Sequence, residues 1–221
     1  MKNSLFCLLA LFFSLSTSRA DWLMVQKNSM EGQEQVTTMK IKDGLARVDV
    51  GTESSVIMNG ENIMIVMHPQ KMIMKMDPQM LEAAMKGVAQ MAGQSGGQAP
   101  AKPVATGQKE KVGEWNTEIY TWEGPMGKGR FWVDKDFPQA AEIAEASDKI
   151  GKAMGDPVAA FSPKMSDFSG MVVKSEMTVM GKVVVSELVS AKEEKLDAKD
   201  FAAPEGYKEM KMPAMPGPPQ K

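Results

Sequence analysis

Cysteine is almost missing from this chain of 221 residues, and the single one, Cys7, stands inside an apolar leader. Without thiols further along there is no disulfide framework, no cysteine zinc site and no thiol nucleophile, so stability has to come from the core. Cys7 follows Ser4-Leu5-Phe6, which is not a lipobox, so no lipid anchor is expected. Histidine is equally scarce, with His68 alone. Acid-base and triad chemistry at neutral pH usually draws on an imidazole beside a nucleophile and a carboxylate, so that class starts with one candidate. Long apolar runs are absent after residue 20, and no transmembrane segment is expected.

The leader itself has the three parts of a secretory signal: basic Lys2, an apolar run from Leu5 to Leu15, and small residues at Ser18 and Ala20. Cleavage is expected between Ala20 and Asp21, giving a soluble periplasmic or secreted protein. Without Lys2 and Arg19 the chain has 24 basic and 28 acidic residues, a net charge of −4. That balance argues against a nucleic-acid partner, which needs a concentrated basic surface. The remaining length suits one domain over residues 21–213, ahead of a Pro-rich disordered tail at 214–221.

Alternation of apolar with polar residues predicts strands from Trp22 onward. Glu34 to Lys42 turns at Asp43-Gly44 into Leu45 to Val50, and Ser55 to Met58 turns at Asn59-Gly60 into Asn62 to Met67, both strong hairpin signals. His68-Pro69-Gln70-Lys71 then turns the chain into Met72 to Met76. Asp77-Pro78 starts a helix with Leu81, Ala84, Met85, Val88 and Met91 on one stripe, ended by Gly93. Residues 93–107, rich in Gly, Gln, Ala and Pro, read as a flexible insertion. Strands follow at Gly113 to Trp122 and Gly129 to Asp134, then a second amphipathic helix from Pro138 to Met154, then strands Met171 to Met180 and Lys182 to Ala191. The class is α+β, mainly antiparallel β, with two amphipathic helices covering a sheet.

No enzyme class is supported. His68 sits in a turn and is expected to be exposed. Gly124 to Arg130 has Gly129 where a phosphate loop needs Ser or Thr, and it joins two strands, so it reads as a hairpin. Glu142, Glu145, Glu193 and Glu194 fit solvated faces. No cofactor is expected.

Methionine is abundant instead, 22 in all, nine of them between Met58 and Met91. Met72, Met74 and Met76 share one strand face, and with His68 they form a soft donor set of the kind that selects Cu(I). The enrichment also reaches Met24, Met39, Met171 and Met177, where any apolar residue would serve, which favours packing or an adaptable apolar binding surface. The strand Asn62 to Met67 is apolar on both faces, so both are covered or one lines a cavity.

Four segments in order carry a family likeness: Met39 to Asp49, Ile63 to Met74, Gly127 to Val133 and Phe201 to Tyr207. Together they resemble a family of exported bacterial proteins known as a domain of unknown function, itself similar to the LolA and LolB lipoprotein carriers. The resemblance implies a curved, open half-barrel sheet with its helices on the concave side and an apolar cavity between. It also implies a non-enzymatic binding role, with a lipid or lipoprotein acyl chain as partner. Met64, Val66, Met72, Met74, Met76, Leu81 and Met85 are the expected lining. The alternatives are a copper(I)-binding protein using Met72, Met74, Met76 and His68, and an envelope interaction module with a filled core. No oligomeric state is expected from the sequence.

Overall fold

The computed structural model describes residues 20–60, 62–76, 101–124, 127–153, 162–179 and 181–210. Its strands are β1 (Trp22–Met30), β2 (Gln33–Lys42), β3 (Leu45–Val50), β4 (Ser54–Asn59), β5 (Asn62–Met67), β6 (Met72–Met76), β7 (Val104–Val112), β8 (Trp115–Gly124), β9 (Gly127–Asp134), β10 (Met171–Val179), β11 (Lys182–Glu193) and β12 (Lys208–Met210). One helix, α1 (Ala140–Ala153), is described. The other expected helix, from Asp77 to Gly93, lies outside the described residues.

Two antiparallel meanders, β1 to β6 and β7 to β11, are joined edge to edge by β1 pairing with β11. The result is one curved open sheet in the order β12-β6-β5-β4-β3-β2-β1-β11-β10-β9-β8-β7, and among the described strands only the short β12 runs parallel to its neighbour. Strand twist accumulates over twelve strands and bends such a sheet. The hairpins arise where the sequence places them: Asp43 and Gly44 both have positive φ, as does Gly60.

Strand β7 corrects one expectation. Val104 to Gly107 belong to it, four residues that read as part of the flexible insertion. Eight of the nine β7 residues are exposed, so no apolar alternation advertises the strand. It is held as a sheet edge by its ladder to β8 and by the Thr106 hydroxyl donating to the Ile119 carbonyl at 2.8 Å.

Helix α1 buries Ile143, Ala146 and Ile150, spaced three and four apart, and turns Glu145 and Lys149 outward as an ion pair. That buried stripe packs with Trp22, Met24, Ile41, Val48, Val56 and Leu188. The Trp22 ring lies 5.3 Å from Phe137, and its Nε1–H donates to Gln139 Oε1 at 3.0 Å, which fixes the helix entry over β1.

The other face of β4 to β6 is covered by the C-terminal segment. Ile57, Met64, Val66 and Ile73 pack with Leu196 and Phe201, with Leu45 and Tyr207 alongside. A third cluster, Tyr120, Trp122, Phe131, Val133 and Phe168, closes the β8 to β10 end. Among the described residues, no helix is long and apolar enough to cross a membrane.

Candidate functional site

Cross-strand partners in a sheet share a face, so register sorts the side chains. One row runs Trp22, Ile41, Ala46, Met58, Ile63, Met76, and the next runs Met24, Met39, Val48, Val56, Ile65, Met74. These two rows make the face under α1 (the inner face) apolar from β1 to β6. Further along β1 the same face turns polar: Gln26 pairs with Thr37, and Asn28 pairs with Gln35 on one side and Ser186 on the other.

A cavity of about 230 Å³ lies where the apolar and polar rows meet, between α1 and strands β1, β2, β10 and β11. Met24, Met39, Met171, Met165, Val173 and Leu188 supply its apolar wall, while Gln26, Ser175 and Ser186 supply polar atoms. Its volume is well above the roughly 30 Å³ of one water and below the roughly 300–1,000 Å³ of drug-sized pockets. It has room for a slim apolar group.

The wall is held in place locally. Asp148 on α1 accepts hydrogen bonds from the backbone N–H of Met165 at 2.8 Å and of Ser166 at 3.2 Å, and from the Ser166 hydroxyl at 2.6 Å, which fastens the 3-10 turn carrying Met165 to the helix. Gly170 lets the start of β10 pass the end of β9, since a Cβ there would stand 2.2 Å from the Asp134 carbonyl oxygen. Lys174 also lines the cavity, but its ammonium is committed: Nζ is 3.2 Å from Glu176 Oε1 and 4.6 Å from the Trp132 ring centroid.

The sequence-derived lining set divides between the two faces. Met72, Met74 and Met76 pair with Met67, Ile65 and Ile63 and extend the inner apolar rows, half-buried, several strands away from the cavity. Met64 and Val66 point to the opposite face and are buried beneath Leu196 and Phe201. None of these five lines the cavity. Leu81 and Met85 lie outside the described residues. The residues that do line it include Met24, Met39 and Met171, which the sequence left between packing and an adaptable apolar binding surface. The change from Met24 to Gln26 and Asn28 along one face of β1 was the available signal.

His68 does not join Met72, Met74 and Met76 as a donor set. Its Nε2 lies 2.7 Å from the Ser55 hydroxyl and its Nδ1 lies 2.9 Å from the Tyr207 hydroxyl, on the face away from those three methionines. It is half-buried, not the exposed turn residue expected. Asp49 Oδ1 sits 2.5 Å from Ser55 Oγ and accepts from Arg47 Nε at 2.7 Å. An ionised carboxylate can only accept, so the Ser55 proton goes to Asp49, His68 Nε2–H donates to Ser55, and the Tyr207 hydroxyl donates to Nδ1. Ser55 is fully buried. Its proton faces the carboxylate and not the imidazole, the reverse of an activated serine.

Charge pairs tie the C-terminal segment to this face. Lys40 Nζ is 2.8 Å from Asp200 Oδ1, and Arg47 Nη1 donates to the Asp200 carbonyl at 3.0 Å. The hydrogen bond from Lys40 outweighs burial and holds the Asp200 carboxyl below its ordinary value. At Asp21, burial pushes the carboxyl up. The Lys42 hydrogen bond at 2.6 Å and the Leu196 N–H at 2.9 Å together overcome that and leave it lowered. Among the described residues, no three His, Cys, Asp or Glu side chains gather as a metal site.

A curved antiparallel sheet with a helix over an apolar, methionine-walled cavity is the class that the fold and the site define. The chain belongs to the DUF4412 family, a domain of unknown function whose family model matches residues 13–207. This meets the resemblance to such a family drawn from Met39 to Asp49 and the three later segments. No curated protein matches. Among solved structures, an uncharacterized conserved protein from Thermus thermophilus is similar at 9% identity and a TM-score of 0.49, over 87% of this chain and 91% of that one. A DUF1329 family protein from Desulfovibrio piger is similar at 9% identity and a TM-score of 0.34, over 85% and 91%. PNGF-II is similar at 12% identity and a TM-score of 0.36, over 89% of this chain but 31% of that one.

Proposed function

We propose that this protein is a non-enzymatic binding protein of the periplasm, exported by its N-terminal signal, that holds a lipid, a lipoprotein acyl chain or another apolar ligand between its sheet and α1. The observation that carries the reading is the cavity of about 230 Å³ walled by Met24, Met39, Met165 and Met171. Unbranched, polarisable methionine adapts to varied apolar partners, which suits a carrier more than a fixed core. That space favours this reading over an interaction module with a filled core. The resemblance of the sequence to a family of exported proteins that is itself similar to the LolA and LolB carriers supports the same reading. Burying a chain in the cavity contributes about 0.8 kcal/mol per CH₂, so a few methylenes give measurable affinity.

Native mass spectrometry of the purified protein is expected to show bound lipid, and a fluorescent fatty-acid analogue is expected to bind and be displaced by unlabelled acyl chains. Ala144 lines the cavity from α1. Ala144→Phe fills it and is expected to weaken that binding by about tenfold or more, equivalent to the loss of about two buried methylenes. Absence of both bound lipid and displacement rejects the proposal.

A further inference from the structure

Resting on the reading of the cavity as an apolar ligand site, we infer that its ligand is an amphiphile whose head carries uncharged hydrogen-bonding groups, such as an ester, amide or hydroxyl, and no free carboxylate or phosphate. The argument starts from the change of chemistry along the inner face. Trp22 and Met24 are buried and apolar, whereas Gln26 and Asn28, two and four residues beyond Met24 on the same face, are half-buried and neutral. Across the neighbouring strands the polar row continues through Ser186 to Ser175. The cavity touches both regions, with methionines on one side and Gln26, Ser175 and Ser186 on the other.

The hydrogen bonds within this row leave specific groups over. Gln26 Nε2 donates to Ser186 Oγ, Ser186 Oγ donates to Asn28 Oδ1 at 2.7 Å, and Asn28 Nδ2 donates to Thr37 Oγ1 at 3.0 Å. That chain fixes the Gln26 carboxamide while leaving its Oε1 and its second N–H for a ligand, with the Ser175 hydroxyl at the same wall. All of these are neutral. The Lys174 side chain, on a residue paired with Glu187 and Trp132, points to the face opposite Ser175 and Ser186, where it meets Glu176 and the Trp132 ring. An anionic head drawn into the cavity would lose hydration with no cation to replace it. A hydroxyl or ester would exchange water for the carboxamide and the serine.

Calorimetric titration of the purified full-length protein with laurate, methyl laurate and monolaurin holds the acyl chain constant and varies the head. Monolaurin is expected to bind about tenfold more tightly than laurate, the effect of one or two neutral hydrogen bonds, with methyl laurate between them. In the Gln26→Leu, Ser175→Ala double variant that ratio is expected to fall to within about twofold. Ser175→Ala alone, which leaves the Gln26–Ser186 bond intact, is expected to lower it partway. Laurate binding as tightly as monolaurin, or a preference that survives the double variant, overturns the assignment of the head group while leaving the apolar-ligand reading standing. Binding of none of the three overturns both.

Discussion

Ser55 is where the polar cluster under the C-terminal segment is decided, because it accepts from His68 and gives its single proton to Asp49. Replacing it with alanine takes one of the two donors from Asp49 Oδ1, which keeps Arg47 Nε, and leaves the His68 N–H without its partner. The expected cost is about 1–3 kcal/mol, read as a lower urea midpoint at unchanged slope. Tyr207→Phe removes only the outermost link and is expected to cost about 0.5–1.5 kcal/mol in the same measurement. A midpoint unaffected by Ser55→Ala would show that the cluster does not hold the fold. The sequence offered His68 as an exposed turn residue because its partners lie far off: Ser55 is 13 residues away and Tyr207 is 139 away. A turn assignment says where the backbone bends and nothing about what later packs over the ring.

The C-terminal segment shows how one element changes the meaning of another. Strand β5 is apolar on both faces, and the sequence required cover on each side or a cavity on one. Leu196, Phe201 and Tyr207 supply the cover for Met64 and Val66, while Ile63 and Ile65 pack toward the core that includes α1. Phe201 is fully buried at the centre of that cover. Phe201→Ala is expected to destabilise by about 3–5 kcal/mol in chemical denaturation. It is also expected to raise dye binding to the apolar face of Ile57, Met64, Val66 and Ile73; a change below about 1 kcal/mol would mean that the segment only rests on the sheet. The 3-10 turns that carry Met165 and Phe201 were not legible, since three or four residues set no period. Helix α1 was legible to within two residues at its start, because Ile143 and Ile150 repeat at helical spacing and Pro138 precedes it.

Over the whole molecule, the first and last parts of the chain are held together by Asp21 with Lys42 and Leu196, and by Asp200 with Lys40. Both carboxyls sit below their ordinary values in the folded state, so the unfolded chain binds protons more readily than the folded one. Their contribution to stability is complete above the unfolded carboxylate range, about 3.9, and is lost as pH falls through and below it. Thermal melts from neutral pH down to acid are expected to show a falling midpoint in that window, with a shallower fall for Asp200→Asn. An identical acid slope in the variant would remove Asp200 from the account.

By itself the sequence determined the local pieces: the tight turns at Asp43-Gly44 and Asn59-Gly60, the alternation of the strands, the stripe of α1 and the excess of methionine. Each of these rests on backbone preferences and on periods of two or three to four residues, which neighbours in the chain suffice to set. Only the tertiary structure decided which methionines wall a cavity. The pairing of β1 with β11 sets Ser186 and Leu188 beside Asn28 and Gln26 across about 160 positions of sequence, and α1 then roofs Met24 and Met39 instead of Met72, Met74 and Met76. Alternation separates a strand into two faces, but when both are apolar it carries no sign of which one looks inward. That choice belongs to whatever packs against the sheet.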